Sequence, residues 1–350
     1  MKWKTAICAG AGFVRKGAFN MANAADCLLH VEDMKIYYPV AGKRLGTTDY
    51  VKAVDGVSFE VRRGEVFGIV GESGCGKSTL GRGICKLEKP TGGKVVLDGE
   101  DISGYNDNQM RPVRKKVQMV FQDPYASLNP RMSIFDIIAE PLIIHKLAKD
   151  KKEMEDKVLD LLRKVGLDDY HANRYPHEFS GGQRQRIGIA RALAVQPSLI
   201  IADEPVSALD VSIQAQVLNL MNQLKKDFNL TYIFVAHDLS VVEHISDRVC
   251  VMYLGNFVEV GNKESLYRKP LHPYTQALLS AVPVPDPTAK KERMILEGNI
   301  PSPLNPPKGC KFHTRCPKAM GCCKAEAPKR YQVSDDHYVY CHLYDDVNNQ

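Results

Sequence analysis

The run Gly71-Glu72-Ser73-Gly74-Cys75-Gly76-Lys77-Ser78-Thr79 fits GxxxxGK(S/T), and it follows the apolar stretch FGIV. Glycines at these spacings let the backbone curl so that successive N–H groups point inward at phosphate oxygens, and a helix starting at Lys77 adds positive potential. Lys77 is placed to reach the β- and γ-phosphates of a nucleotide, and the Ser78 hydroxyl to ligate Mg²⁺. A second chemical signal lies far downstream in LIIADEP, an apolar strand that ends in Asp203 and Glu204. Two carboxylates at the end of a buried strand are costly unless they face a cation or a reaction. Asp203 suits the Mg²⁺ shell and Glu204 suits polarisation of an attacking water.

Cysteines form the third signal. Of ten in the chain, five (Cys310, Cys316, Cys322, Cys323 and Cys341) lie in the C-terminal tail, in a segment rich in proline and poor in apolar residues. Four thiolates can hold together a segment that cannot bury a core of its own. Structural zinc matches four such ligands although paired CxxC spacing is missing, an iron–sulfur cluster matches the soft ligand set, disulfides are disfavoured in a reducing compartment, and free thiols are the remaining reading. Cys322 has no role in this scheme. Cys75, inside the glycine loop beside Lys77 and at a helix start, sits where a thiol pKa is expected to fall, with an inert spacer as the alternative.

The elements that must position these groups are legible from periodicity. From Leu28 to Val70 the sequence alternates apolar and polar residues with glycine breaks, reading as several strands, the last one buried. VVLDGEDI adds a hairpin through Asp98-Gly99. Between Ser133 and Gly166 the pattern turns helical, with Met154, Val158, Leu161, Leu162 and Val165 on one face. After Ser180 the order is helix, strand LIIAD, helix Val211 to about Phe228, strand TYIFVAH, and a hairpin around Gly255-Asn256. Strands alternating with helices predict an α/β fold with a mostly parallel sheet covered on both faces.

Composition excludes several classes. With 350 residues, 44% hydrophobic and 25% charged, the chain is neither wholly disordered nor collagen-like, and no stretch reaches the roughly 18 apolar residues of a membrane span. The net charge of +6 is mild and selects no partner by itself. Residues 1–27 read as a leader, with two early lysines and a short apolar run cut by Arg15 and Lys16, and Met21 is an alternative start.

Four further strings carry a resemblance. FSGGQRQR (Phe179 to Arg186) is similar to the signature motif of ATP-binding-cassette ATPases, with Phe in place of the commoner Leu. VFQDP supplies a Q-loop glutamine at Gln122, SALD (Ser207 to Asp210) resembles the D-loop, and VAHD places His237 as the switch histidine. The resemblance implies a P-loop NTPase with a RecA-like core, an antiparallel β subdomain and a helical subdomain over residues 28–267, followed by a small Cys-rich module over 268–350. It also implies that Ser180, Gly182 and Gln183 complete the ATP site of a partner cassette, that Gln122 joins Ser78 and Asp203 near Mg²⁺, and that Tyr38 is the adenine-stacking aromatic, with strand packing as the other reading of Tyr38.

The strings QDPYASLNPRM, HPYTQALLSAVPVPDP and PSPLNPPKGCKFHTRCP closely resemble the second, F-type ATPase subunits of dipeptide and oligopeptide importers, a branch that includes nickel and glutathione importers. This closer resemblance implies a subunit on the cytoplasmic side of the inner membrane. Its partners would be a second, different cassette, two permeases and an extracytoplasmic solute-binding protein, with permease helices received around Gln122 to Glu140. The same branch carries an iron–sulfur cluster at positions matching Cys310, Cys316, Cys323 and Cys341, with Zn²⁺ as the alternative. A soluble cassette acting on nucleic acid is disfavoured by the single P-loop and the lack of sustained heptads.

Overall fold

A computed structural model describes residues 26–42, 47–282 and 294–348. The leader up to Ala25 and most of the Pro-rich stretch after Val282 lie outside the described residues.

Strands β1 (Cys27–Ala41), β2 (Thr48–Arg62), β3 (Val66–Val70), β4 (Gly92–Leu97), β5 (Glu100–Asp101), β6 (Val117–Val120), β7 (Leu199–Asp203), β8 (Thr231–Ala236), β9 (Arg248–Tyr253), β10 (Asn256–Asn262), β11 (Tyr331–Ser334) and β12 (His337–Val339) form two sheets. The smaller is antiparallel, in the order β2-β1-β4-β5, and its β4–β5 turn carries Asp98 and Gly99 at φ 54° and 78°. Positive φ at both central residues is what the Asp-Gly pair supplies. The larger sheet has the order β11-β12-β10-β9-β3-β8-β7-β6. Its half from β9 to β6 is parallel, while β10, β12 and β11 add on antiparallel. The β9–β10 turn centres on Leu254 and Gly255, both at positive φ, one residue earlier than the sequence pattern places it.

The α-helices of the described residues are α1 (Lys77–Ile84), α2 (Asp107–Lys116), α3 (Pro124–Ser127), α4 (Ile134–Ile144), α5 (Lys151–Lys164), α6 (Gly181–Leu193), α7 (Val211–Phe228), α8 (Leu239–Ile245), α9 (Lys263–Arg268), α10 (Pro273–Ala281) and α11 (Gly321–Ala325). No described helix is long and apolar enough to cross a membrane.

Strand residues alternate between two cores because successive side chains leave opposite faces of a sheet. Ile200, Ala202, Tyr232 and Phe234 join the core shared with α4 to α7, whereas Leu199, Ile201, Ile233 and Val235 join the core beneath the antiparallel sheet and α1. Both faces being covered explains why β3, β7 and β8 are buried along their whole length and read as unbroken apolar runs. The face of α5 buries Val158, Leu161 and Leu162 as its periodicity requires.

A buried carboxylate helps to fasten the tail to this frame. Glu259 of β10 is fully buried, accepts the backbone N–H groups of Leu271 and His272 at 2.8 and 2.9 Å, and lies 2.8 Å from Nε2 of His337 on β12. Removing it leaves those donors without their partner in a dry site. Glu259→Ala is expected to cost about 3–5 kcal/mol in chemical denaturation; a loss below about 1 kcal/mol would show that the β10–β12 ladder and packing anchor β12 without it.

Candidate active site

Parallel pairing sends the chain out of β3, β8, β7 and β6 at the same sheet edge, and each exit carries one of the chemically suspect segments. Gly71 follows β3, His237 follows β8, Asp203 and Glu204 close β7, and Gln122 lies just past β6. At this edge lies a cleft of about 460 Å³ lined by Ser73, Gly74, Gly76, Lys77, Ser78 and Thr79 of the glycine loop and by Gln122, Glu204 and His237. Ala53 of β2, which no sequence pattern marks, contributes to the wall.

The loop's shape is enforced by close backbone contacts. Gly76 caps α1 at φ 107°, and a Cβ there would stand 2.1 Å from the Ala53 carbonyl oxygen. Only glycine satisfies both constraints. Lys77 is buried, and its Nζ donates to the carbonyl oxygens of Gly71 at 2.8 Å and Glu72 at 3.1 Å. Ser78 donates its hydroxyl to Asp203 Oδ1 at 2.7 Å. Burial raises the Asp203 pKa, opposed by the Ser78 hydrogen bond and by Arg82 and Lys77. A part-buried pair of oxygens of this kind fits a hard divalent cation.

Glu204 stands next to Asp203 at φ 45°, in the left-handed region that a non-glycine residue rarely adopts. Its N–H is held by the Val235 carbonyl at 2.9 Å, and its own carbonyl accepts the Ser207 hydroxyl at 3.0 Å. The strained turn directs the carboxylate so that Oε2 accepts Gln122 Nε2 at 3.0 Å and lies 3.0 Å from Nδ1 of His237. Three residues named from separate strings thus meet at one oxygen.

Other expectations fare differently. Cys75 is buried, and burial pushes its thiol pKa up despite Lys77, whose Nζ lies 3.9 Å from the sulfur. This corrects the expected activation: desolvation of a thiolate outweighs a neighbouring cation that is already engaged with backbone carbonyls. Tyr38 packs partly buried against the core under the antiparallel sheet and does not line the cleft. Ser180 caps α6 by accepting from the Gln183 N–H, and Gly182 packs so closely that a Cβ would meet Ile213 at 2.3 Å. None of Ser180, Gly182 and Gln183 lines the cleft formed by this chain's own P-loop.

In the tail, burial raises the thiol pKa values of Cys310, Cys316 and Cys341, and the neighbouring cysteines add to the effect. Cys310 is brought to about 11 and Cys341 to about 12. Cys323 Sγ accepts the Met320 N–H at 3.5 Å. A backbone N–H of this kind stabilises a thiolate, and four soft sulfur donors are the chemistry that zinc or an iron–sulfur centre takes. The ligand cage itself is not closed: among the described residues no three or more His, Cys, Asp or Glu side chains stand close enough to hold a metal ion. Exposed Cys322 stays outside the group.

Comparison with known proteins agrees with this geometry. Residues 54–207 match the ABC transporter family and residues 258–323 the C-terminal region of oligopeptide/dipeptide transporters. The chain is 58% identical to the oligopeptide transport ATP-binding protein AppF of Bacillus subtilis, over 91% of this chain and 98% of that protein. It is 52% identical to the dipeptide transport ATP-binding protein DppF of Escherichia coli, over 86% and 90%. Among solved structures, the dimeric post-hydrolysis state of the cassette MJ0796, bound to ADP and Pi, superimposes with a TM-score of 0.61 at 29% identity, covering 67% of this chain and 99% of that one. The cleft at the parallel strand ends and the extent of these matches make this chain a member of the ABC transporter ATPases, in the branch of oligopeptide and dipeptide transport ATP-binding proteins.

Proposed function

We propose that this chain hydrolyses ATP to drive import of oligopeptides or dipeptides, as a peripheral subunit on the cytoplasmic face of the inner membrane. The observation that carries the reading is the Glu204 carboxylate, held by Gln122 and His237 across the cleft from Lys77 and Ser78. In the proposed reaction the P-loop backbone and Lys77 bind the β- and γ-phosphates. Ser78 and Asp203, with Gln122 nearby, would hold Mg²⁺, which when bound neutralises charge on the phosphate oxygens. Glu204 orients the attacking water and takes up its proton, Gln122 keeps the carboxylate aimed, and His237 offers a hydrogen bond to the phosphoryl oxygens as charge builds there.

The position of Ser180, Gly182 and Gln183 away from this cleft supports a head-to-tail pair in which those residues meet the nucleotide of a second, different cassette. Two permeases fed by a solute-binding protein complete the assembly, and the names of the relatives support peptides as the cargo. The proposed tail centre is an iron–sulfur cluster or Zn²⁺ on Cys310, Cys316, Cys323 and Cys341, supported by the soft four-thiol donor set that the tail supplies and by the Met320 N–H at the Cys323 sulfur.

Three outcomes test these readings. Glu204→Gln is expected to lower ATP turnover by about 10²–10⁴-fold while retaining ATP in a stable dimer, since it removes the proton acceptor and keeps the shape; undiminished hydrolysis sinks the assignment of Glu204. In membranes containing the permeases, labelled di- and oligopeptides should accumulate in an ATP-dependent manner, and accumulation of nickel or glutathione in their place would redirect the cargo. Metal analysis of protein purified without oxygen should find iron with broad visible absorption, or one zinc per chain without colour, and neither metal survives Cys323→Ser. Metal-free, fully structured protein would overturn the tail centre.

A further inference from the structure

The tail reaches the P-loop directly. Arg315 and Glu72 are 243 positions apart in sequence, yet the guanidinium grips the carboxylate with two bonds, Nη1 to Oε2 at 2.9 Å and Nη2 to Oε1 at 3.3 Å. The Arg315 side chain is only 8% exposed. Glu72 is also held through its backbone: its N–H donates to the Tyr274 hydroxyl at 3.0 Å, and its carbonyl accepts Lys77 Nζ. One residue therefore joins the tail, α10 and the lysine that meets the phosphates.

The segment that carries Arg315 is itself fixed at its other end. Lys311 donates to Asp55 of β2 at 2.9 Å and to the carbonyl of Leu254 at 2.9 Å. Leu254 lies in the β9–β10 turn, and the next residue, Gly255, donates its N–H to the carbonyl of Cys75 inside the P-loop. Between these anchors Phe312 is buried against Tyr253, Tyr274 and His272. The stretch Lys311–Arg315 is thus a brace that touches the P-loop at Glu72 and, through the turn, at Cys75.

We propose that Arg315 is a positioning residue of the ATP site. By fixing Glu72 it sets the two backbone carbonyls that hold Lys77, and so presents the ammonium where the β- and γ-phosphates arrive. A two-pronged charge-assisted bond does this better than a point charge, because it fixes the orientation of the carboxylate as well as its distance. Without it Glu72 is free to turn, the loop samples other curvatures, and ATP must order the loop as it binds. The cost falls on nucleotide binding, since Glu204, Gln122 and His237 lie on other strands.

The proposal rests on the P-loop being the ATP site, and Lys77→Ala, which abolishes nucleotide binding if that is so, keeps the two questions apart. In the full chain, Arg315→Met is expected to raise KM for ATP, and the Kd of a fluorescent ATP analogue, by about tenfold, with kcat within about twofold. Arg315→Lys, which keeps the charge and loses the fork, should fall between the two. Because Arg315 acts through Glu72, the double variant Arg315→Met/Glu72→Gln should bind no more weakly than the worse single variant. Unchanged nucleotide affinity in Arg315→Met, or effects of the two single variants that multiply, overturns the proposal. If Arg315→Met does not fold, a wild-type KM in folded Arg315→Lys overturns it equally, because the fork is then dispensable.

Discussion

The constraint on which this molecule depends is the register of one parallel ladder. β3, β8, β7 and β6 are hydrogen-bonded side by side, with Val70 opposite Ala236, Asp203 opposite Val235 and Val120 opposite Ala202. All four strands therefore end at the same edge, and residues far apart in sequence meet there without any long side chain having to reach. A slip of β7 by one residue would turn Asp203 away from Ser78 and exchange the residues that β7 gives to the two cores. The two cores resist such a slip, since each strand packs apolar side chains on both faces. Catalytic geometry and stability are in this sense the same interaction.

Glu204 shows how the frame tolerates a locally unfavourable conformation. A left-handed non-glycine residue costs roughly 1–3 kcal/mol. Here the turn is fixed by its backbone bonds to β8 and to Ser207, by burial of Asp203 directly before it, and by two partners for its carboxylate. A relaxed turn would not deliver the carboxylate to the point where Gln122 and His237 converge.

Much of this is legible in the sequence, because the signals are local. The glycine loop, the apolar strand ending in two acids, and α7 from Val211 to Phe228 each declare themselves within a short window. β6 does not, since four residues following Arg114, Lys115 and Lys116 are too few to show a period. α2 is obscured by Pro112 inside it, and β11 and β12 by a tail whose composition suggests no sheet. Cys75 misleads because sequence shows the neighbouring lysine and not the depth of burial, and burial decides the sign. Ala53 enters the cleft through a backbone contact with Gly76 that leaves no mark on residue type.

Distance along the chain hides the role of the tail in the same way. Its cysteines stand out as a cluster with no evident tie to the rest, yet Phe312 belongs to the main core and β12 pairs with β10. The cluster of Tyr253, Tyr274, His272 and Phe312 is dry enough to lower the His272 pKa to about 4, so that ring stays neutral at ordinary pH and packs as an aromatic. The ionic contacts at either end, Lys311 with Asp55 and Arg315 with Glu72, are largely shielded from water, in surroundings where geometry counts for more. A loop that must stay curved without help from its own side chains is thereby supported from outside by an apolar wedge bracketed by two cations.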